Sequence, residues 1–319
     1  TVAPASVTFT AANWNTPQTV TVTGVDDAMA DGPIAYTILT AAAVSADAGY
    51  GGVDAADVAV TNTDNDAAGF TVNPTAGLTT TEAGGTATFT VVLNTPPSAN
   101  VTSGLASSNL TEGTVAPASL TFTSADWSVA QTVTVTGVDD AVADGPIGYA
   151  IVTAPAASAD GNYNGLDASD VAATTTDDDV AGITVSPTAG LTTTEAGGTA
   201  TFTVVLTSQP TADVTIGLSS ADLTEGAAAP ASLTFTAADW NTPQAVTVTG
   251  VDDAVADGPI AYAIATAAAV SADASYSGRD PADVAVTNTD NDGAGFTVTP
   301  TAGLLTSEAG ATGSVIVSR

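Results

Sequence analysis

The chain reads as an all-β protein, a tandem array of immunoglobulin-like antiparallel β-sandwiches, and three observations lead there. A stretch of 113 residues repeats without insertion or deletion, marked by Trp14, Trp127 and Trp240, by Gly69, Gly182 and Gly295, and by the acidic pairs Asp26-Asp27, Asp139-Asp140 and Asp252-Asp253. A period of domain size describes modules built alike and joined end to end. Inside each repeat, apolar residues alternate with Thr at period two, the pattern of a strand with one buried and one wet face. Glycine and proline punctuate the intervals, and no helical stripe competes.

The elements follow in chain order through the repeat at 68–180. Pro74, Gly77, Gly84-Gly85 and Pro96-Pro97 are breakers and turn formers between the runs, and Thr199 to Leu206 in the following repeat alternates in the same way. Leu120-Thr121-Phe122-Thr123 and Thr132-Val133-Thr134-Val135-Thr136 are the clearest alternating runs, and Tyr149 with Ile151 makes a shorter one beyond Gly137 and Gly145-Pro146. About seven short strands in roughly 110 residues match an immunoglobulin-type sandwich. The core is thin, because each repeat carries few aromatics and much Ala, so an additional staple is physically reasonable.

The frame divides the chain into 1–67, the latter part of a repeat; 68–180 and 181–292, two whole repeats; and 293–319, the beginning of another. With Thr1 at the start and no signal peptide or lipidation motif, the sequence is expected to be a fragment of a longer protein.

Composition narrows the partners. Acidic residues number 34 against 2 basic ones, for a formal charge of -32, and Cys, His and Lys are absent. Such a surface repels nucleic acid and anionic lipid and attracts cations. Disulfides, thiolate metal sites and lysine-to-asparagine isopeptide crosslinks are excluded by the missing residue types. No apolar run approaches the roughly 18 to 20 residues of a membrane-spanning helix, so membrane insertion is not expected of this segment. Catalysis is not expected either, since carboxylates and hydroxyls are the only conventional acid, base or nucleophile types left.

Acids recur at three fixed places in each repeat. Between 68 and 180 they are Glu82, then Asp139, Asp140 and Asp144, then Asp177, Asp178 and Asp179. Between 181 and 292 they are Glu195, then Asp252, Asp253 and Asp257, then Asp290 and Asp292. The first partial repeat keeps Asp26, Asp27, Asp31, Asp64 and Asp66, and the last keeps Glu308. Carboxylates packed this densely repel unless a cation sits among them, and Ca²⁺ takes about 6 to 8 oxygens at roughly 2.3 to 2.6 Å. Without His or Cys, zinc and copper fit poorly; Mg²⁺ and Mn²⁺ stay open beside Ca²⁺.

The order Thr-Glu-Ala-Gly-Gly, Val-Asp-Asp-Ala-Val-Ala-Asp-Gly and a closing Thr-Asp-Asp-Asp resembles the Calx-β domain of long repetitive bacterial surface proteins, over both whole and both partial repeats. The resemblance implies that these acids gather Ca²⁺ at one tip of each sandwich. It also departs from the pattern: Asn291 and Asn65 replace the middle Asp of the closing run, and Ala141 and Ala254 leave the central turn less acidic, which implies weaker or fewer ions.

Other residues read more plainly. Asp167 and Asp170, with Asp160 nearby, read as a solvated loop, and the Trp of each repeat as a packing or corner residue. Asn100-Val-Thr102 and Asn109-Leu-Thr111 match the glycosylation sequon only weakly. The functional expectation is a calcium-rigidified segment of an extracellular bacterial surface protein, an adhesin stalk or a biofilm component. The alternatives are a filament or sheath of identical chains joined head to tail by strand complementation, and a glycan- or protein-binding module. Expected partners are calcium, neighbouring repeats, identical chains in the filament case and an unknown surface ligand.

Overall fold

A computed structural model describes residues 1–318. They form an all-β protein, and none of the described residues lies in a helix long and apolar enough to cross a membrane. Two compact units emerge, one of Thr1–Asp139 with Pro146–Thr176, the other of Asp140–Gly145 with Asp177–Arg319.

The first unit carries β1 (Val2–Ala3), β2 (Thr21–Val22), β3 (Ile34–Ile38), β4 (Val58–Asn62), β5 (Phe70–Asn73), β6 (Leu78–Thr81), β7 (Thr86–Leu93), β8 (Val101–Ser107), β9 (Gly113–Ala116), β10 (Ser119–Phe122), β11 (Gln131–Gly137), β12 (Ile147–Thr153), β13 (Ala157–Ser158) and β14 (Val171–Thr176). The second carries β15 (Ile183–Ser186), β16 (Leu191–Thr194), β17 (Thr199–Leu206), β18 (Val214–Ser220), β19 (Gly226–Ala229), β20 (Ser232–Phe235), β21 (Gln244–Gly250), β22 (Ile260–Thr266), β23 (Val284–Thr289), β24 (Thr297–Thr299) and β25 (Ile316–Ser318). The alternating runs read from the sequence coincide with β10, β11, β12 and β17.

Each whole repeat makes two sheets. In the second unit the strand orders are β15-β17-β21-β19 and β16-β23-β22-β18-β20; in the first they are β5-β7-β11-β9 and β10-β8-β12-β14-β6, with β13 added beside β8. Pairing is antiparallel except where the opening strand joins the closing one, β6 with β14 and β16 with β23. That parallel pair sets the end of the Glu-bearing segment beside the end of the strand leading into the closing acids. Period-two burial is strict: in β17 Phe202, Val204 and Leu206 point inward, and they pack with Ile216, Phe235, Val246, Tyr262 and Ile264 from the other strands. Trp127 and Trp240 are half-buried against the two cores, in the packing role expected of them. The Trp240 carbonyl also accepts the Leu206 amide (3.1 Å).

Residues 1–67 make only the hairpin-like pairs β1-β2 and β3-β4, because they contain no counterpart of β5 to β8, the last of which pairs with the strand that carries Phe122. Phe9 is therefore 55% exposed, where its equivalents Phe122 and Phe235 are fully buried. Trp14 is exposed for the same reason.

Truncating Phe202 to Ala removes a ring that is 1% exposed and is expected to cost about 3–5 kcal/mol. The same change at Phe296, which is exposed, should be nearly neutral. Denaturant unfolding monitored by near-UV circular dichroism separates the two; equal losses would contradict the core described here.

Candidate metal centre

The second unit holds a complete set of the repeat's acids. Glu195 follows β16 in the turn Glu195-Ala196-Gly197, and the parallel pairing of β16 with β23 carries the Glu195 amide to the Thr289 carbonyl (3.1 Å). Asp290, Asn291 and Asp292 start immediately after β23. The Asn291 amide donates to Glu195 Oε2 (3.0 Å), while Asp290 Oδ1 accepts the Asp292 amide (2.6 Å). Glu195, Asp290 and Asp292 each offer a carboxylate oxygen within 4.8 Å of the others.

A second group lies in the same unit. Glu225, Asp253 and Asp257 also bring carboxylate oxygens within 4.8 Å of one another. Asp253 accepts the Val255 amide (2.7 Å), which closes the acidic turn between β21 and β22. The two groups are tied together where Gly258, at φ +80°, donates its amide to Asp290 Oδ2 (2.7 Å). That left-handed backbone favours glycine.

Glu225 was not among the residues singled out by sequence, nor was its equivalent Glu112. Both are buried. The signal was available, since Thr111-Glu112-Gly113 and Thr224-Glu225-Gly226 recur at the 113-residue period. Gly226 explains how Glu225 reaches the site: a Cβ there would overlap the Tyr262 phenol, so only glycine lets β19 approach β22 this closely. Asn288, fully buried, then donates to Glu225 Oε2 (3.3 Å) and accepts from Thr193 Oγ1 (2.9 Å).

Asp252 falls outside both three-carboxylate groups. Its Oδ1 accepts the side-chain amide of Asn291 (3.1 Å), so the Asn that replaces the middle Asp supplies a donor in place of a charge. In the repeat at 68–180, Glu82, Glu112 and Asp139 belong to the first unit and Asp140, Asp144, Asp177, Asp178 and Asp179 to the second. The local geometry recurs: Val142 donates to Asp140 (2.7 Å), Gly145 to Asp177 Oδ2 (2.6 Å) and Asp179 to Asp177 Oδ1 (2.7 Å). Asp178 is exposed.

The first partial repeat follows the same plan. Asp64 accepts the Gly32 and Asp66 amides (2.7 and 2.8 Å), and Asp27 accepts the Met29 amide (2.8 Å). Asp26, Asp27, Asp31, Asp64 and Asp66 line a cavity of about 370 Å³. Glu308 is exposed.

Asp160 corrects an expectation. It is only 7% exposed, not solvated: its carboxylate accepts the Ser98 (2.7 Å) and Asn162 (2.9 Å) amides, which hold it below the usual carboxylate range. Asp170 also has a structural partner, the Thr153 amide (2.8 Å), and Asp167 is exposed.

The electrostatics separate the carboxylates into two kinds. Asp290 is held below its ordinary value, first by the Asp292 amide and then by the Gly258 amide. Asp64 is lowered in the same way by the Asp66 and Gly32 amides. Glu195 behaves oppositely: the Asn291 amide draws it down, but burial with the charges of Asp290, Asp253 and Asp292 outweighs that bond and leaves it raised. Burial, followed by Asp140 and Asp177, raises Asp144; burial, followed by Asp64, Asp26 and Asp27, raises Asp66. Around β23 and in the first partial repeat, one acid is thus held low by backbone donors, Asp290 or Asp64, and another is raised, Glu195 or Asp66.

No protein-family model and no curated protein matches the chain. Among solved structures it is similar to the calcium binding domain CBD12 of CALX1.1, with 16% identity and a TM-score of 0.30, over 63% of this chain and 80% of that one. CBD12 from CALX1.2 gives 14% identity and a TM-score of 0.29 over the same shares. Domains 4 and 5 of the S-layer protein SbsC give 15% and 0.27, over 59% and 75%. Function is therefore read from this chain's own carboxylates.

The shifts set a pH dependence for the cation-free protein. Glu195, Asp144 and Asp66 bind protons more readily folded than unfolded, so stability should rise as pH falls from neutral through their raised values. Asp290 and Asp64 have depressed folded values, so their contribution is present above 3.8, the ordinary carboxylate value, and is lost as pH falls through the folded ones. Urea midpoints measured stepwise from pH 7 to 3 in metal-free buffer should pass through a maximum. A steady decline would contradict the assigned repulsion.

Proposed function

We propose that this chain is a non-catalytic, calcium-binding tandem β-sandwich segment of an extracellular bacterial surface protein, in which the ions stiffen the acidic end of each module. The observation that carries the reading is the pair of groups Glu195, Asp290, Asp292 and Glu225, Asp253, Asp257, each with oxygens within 4.8 Å of one another. Three carboxylate oxygens this close can share one cation, and Ca²⁺ accepts such irregular sets of oxygens most readily. The donors are all hard oxygens, and no neighbouring His or Cys favours a softer metal.

The chain's own residues do the positioning. Backbone amides orient Asp290 and Asp253, and the raised Glu195 is the carboxylate with most to gain from a cation. A bound cation would supply positive charge that cancels the repulsion, joining the ends of β16 and β23 in the first group and the turn after β21 to Glu225, just ahead of β19, in the second. Those ligands come from segments far apart in sequence, so binding to the folded chain exceeds binding to the unfolded one and stabilises it. A non-catalytic role agrees with the lack of His, Cys and Lys.

Saturating calcium at a hundredfold excess over Kd is expected to add about 2.7 kcal/mol per site. Differential scanning calorimetry in calcium and after chelation measures this. Glu195→Gln should weaken calcium binding by isothermal titration yet raise the melting temperature of the chelated protein, because it removes a repelled charge. An identical melting profile with and without calcium, together with no binding heat, would sink the proposal.

A further inference from the structure

The acidic turn offers more than carboxylates. Within the second unit, the turn 140–145, which belongs in sequence to the repeat at 68–180, seats on the repeat at 181–292. The Gln209 amide donates to the Ala141 carbonyl (2.6 Å), and the Ser275 hydroxyl to the Ala143 carbonyl (3.2 Å). The Ala143 side chain packs against the core of that repeat. A cavity of about 240 Å³ lies between Val142–Asp144 and the segments 208–211 and 273–276.

The receiving surface is also braced by hydrogen bonds of its own, independent of the turn. Asp273, 7% exposed, accepts the Thr211 and Ser275 amides (both 2.8 Å), and the fully buried Tyr276 phenol donates to the Ser208 carbonyl (2.6 Å). Groups pre-positioned in this way lose little freedom when a partner arrives.

The same device recurs in the first unit, one period earlier. Asn162 Nδ2 donates to the Ala30 carbonyl (2.7 Å), with Asp160 holding the Ser98 and Asn162 amides and the Tyr163 phenol donating to the Thr95 carbonyl (2.7 Å). Ala30, Asp160 and Asn162 occupy the positions of Ala143, Asp273 and Ser275. Pro96 stands where Gln209 does and has no amide hydrogen, so this copy lacks the second bond. Ala141, Val142 and Ala143 are half-buried; in the first turn Ala30, which meets Asn162, is half-buried while Ala28 and Met29 are exposed.

We infer that the backbone of each acidic turn is a docking surface for the following repeat of the same kind, recognised through its alanine carbonyls by the residue two positions after the buried Asp and, where it is not proline, by the amide at the Gln209 position. Carboxylates of the turn serve the cation and its carbonyls serve the neighbour, so the latch does not rest on the calcium reading.

Nitroxides on Asp144→Cys and Ser219→Cys, exposed positions on the turn and on the receiving repeat in a chain without native cysteine, report the seating of the turn by pulsed electron–electron resonance. The full chain should give a narrow distance distribution in chelator as well as in calcium. Combining Gln209→Pro, the residue found at 96, with Ser275→Ala should at least double its width in chelator. Ser275→Asn, the residue found at 162, should restore most of the narrowness in the Gln209→Pro background. Calorimetry of the same proteins should show the sandwich transitions retained. An unchanged width in the double variant overturns the latch. A parent distribution broad in chelator and narrow only in calcium also overturns it while leaving the cation reading intact; absence of calcium binding with the latch results as expected overturns only the cation reading.

Discussion

Repulsion among carboxylates gathered at one end of a β-sandwich is the constraint around which each repeat is organised. Two unit charges about 4 Å apart at the protein surface interact with several kcal/mol before screening, and each group places three such charges together. Something must offset that cost. Backbone amides offset part of it, through the donors to Asp290, Asp253, Asp177 and Asp64, and these bonds also fix the turns in which the acids sit.

The fold makes the gathering possible through one topological choice. The opening and closing strands run parallel and adjacent, β6 beside β14 and β16 beside β23, so residues nearly a full repeat apart finish at the same end. Glycines then let the remaining pieces in. A Cβ at Gly250 would overlap the Thr194 carbonyl, as one at Gly226 would overlap the Tyr262 phenol, and both contacts lie beside acids of the cluster. The backbone that presents the carboxylates also presents carbonyls, which gives one turn two chemically separate faces.

Much of this was legible in the sequence. The all-β class and the inward-facing residues of β17 follow from period-two alternation, which burial of a single sheet face enforces. The three recurring acidic positions follow from the period. Glu112 and Glu225 are not legible in the same way, because an isolated acid in a short Thr-Glu-Gly run looks like an ordinary turn until the strand pairings set it beside the other acids. Asp160 looked solvated because its partners, such as the Ser98 amide, lie 62 residues away.

What the sequence determined by itself is therefore local and periodic: which residues alternate, where turns fall, how acids repeat and which chemistries the missing His, Cys and Lys exclude. Only the tertiary structure decided which acids share a cluster, that the Asn291 side chain donates to Asp252, and that the Ala141 and Ala143 carbonyls meet the Gln209 amide and the Ser275 hydroxyl. The physical reason is the same in each case. Alternation is written in neighbouring side chains, whereas these contacts depend on strand order and register between segments tens of residues apart.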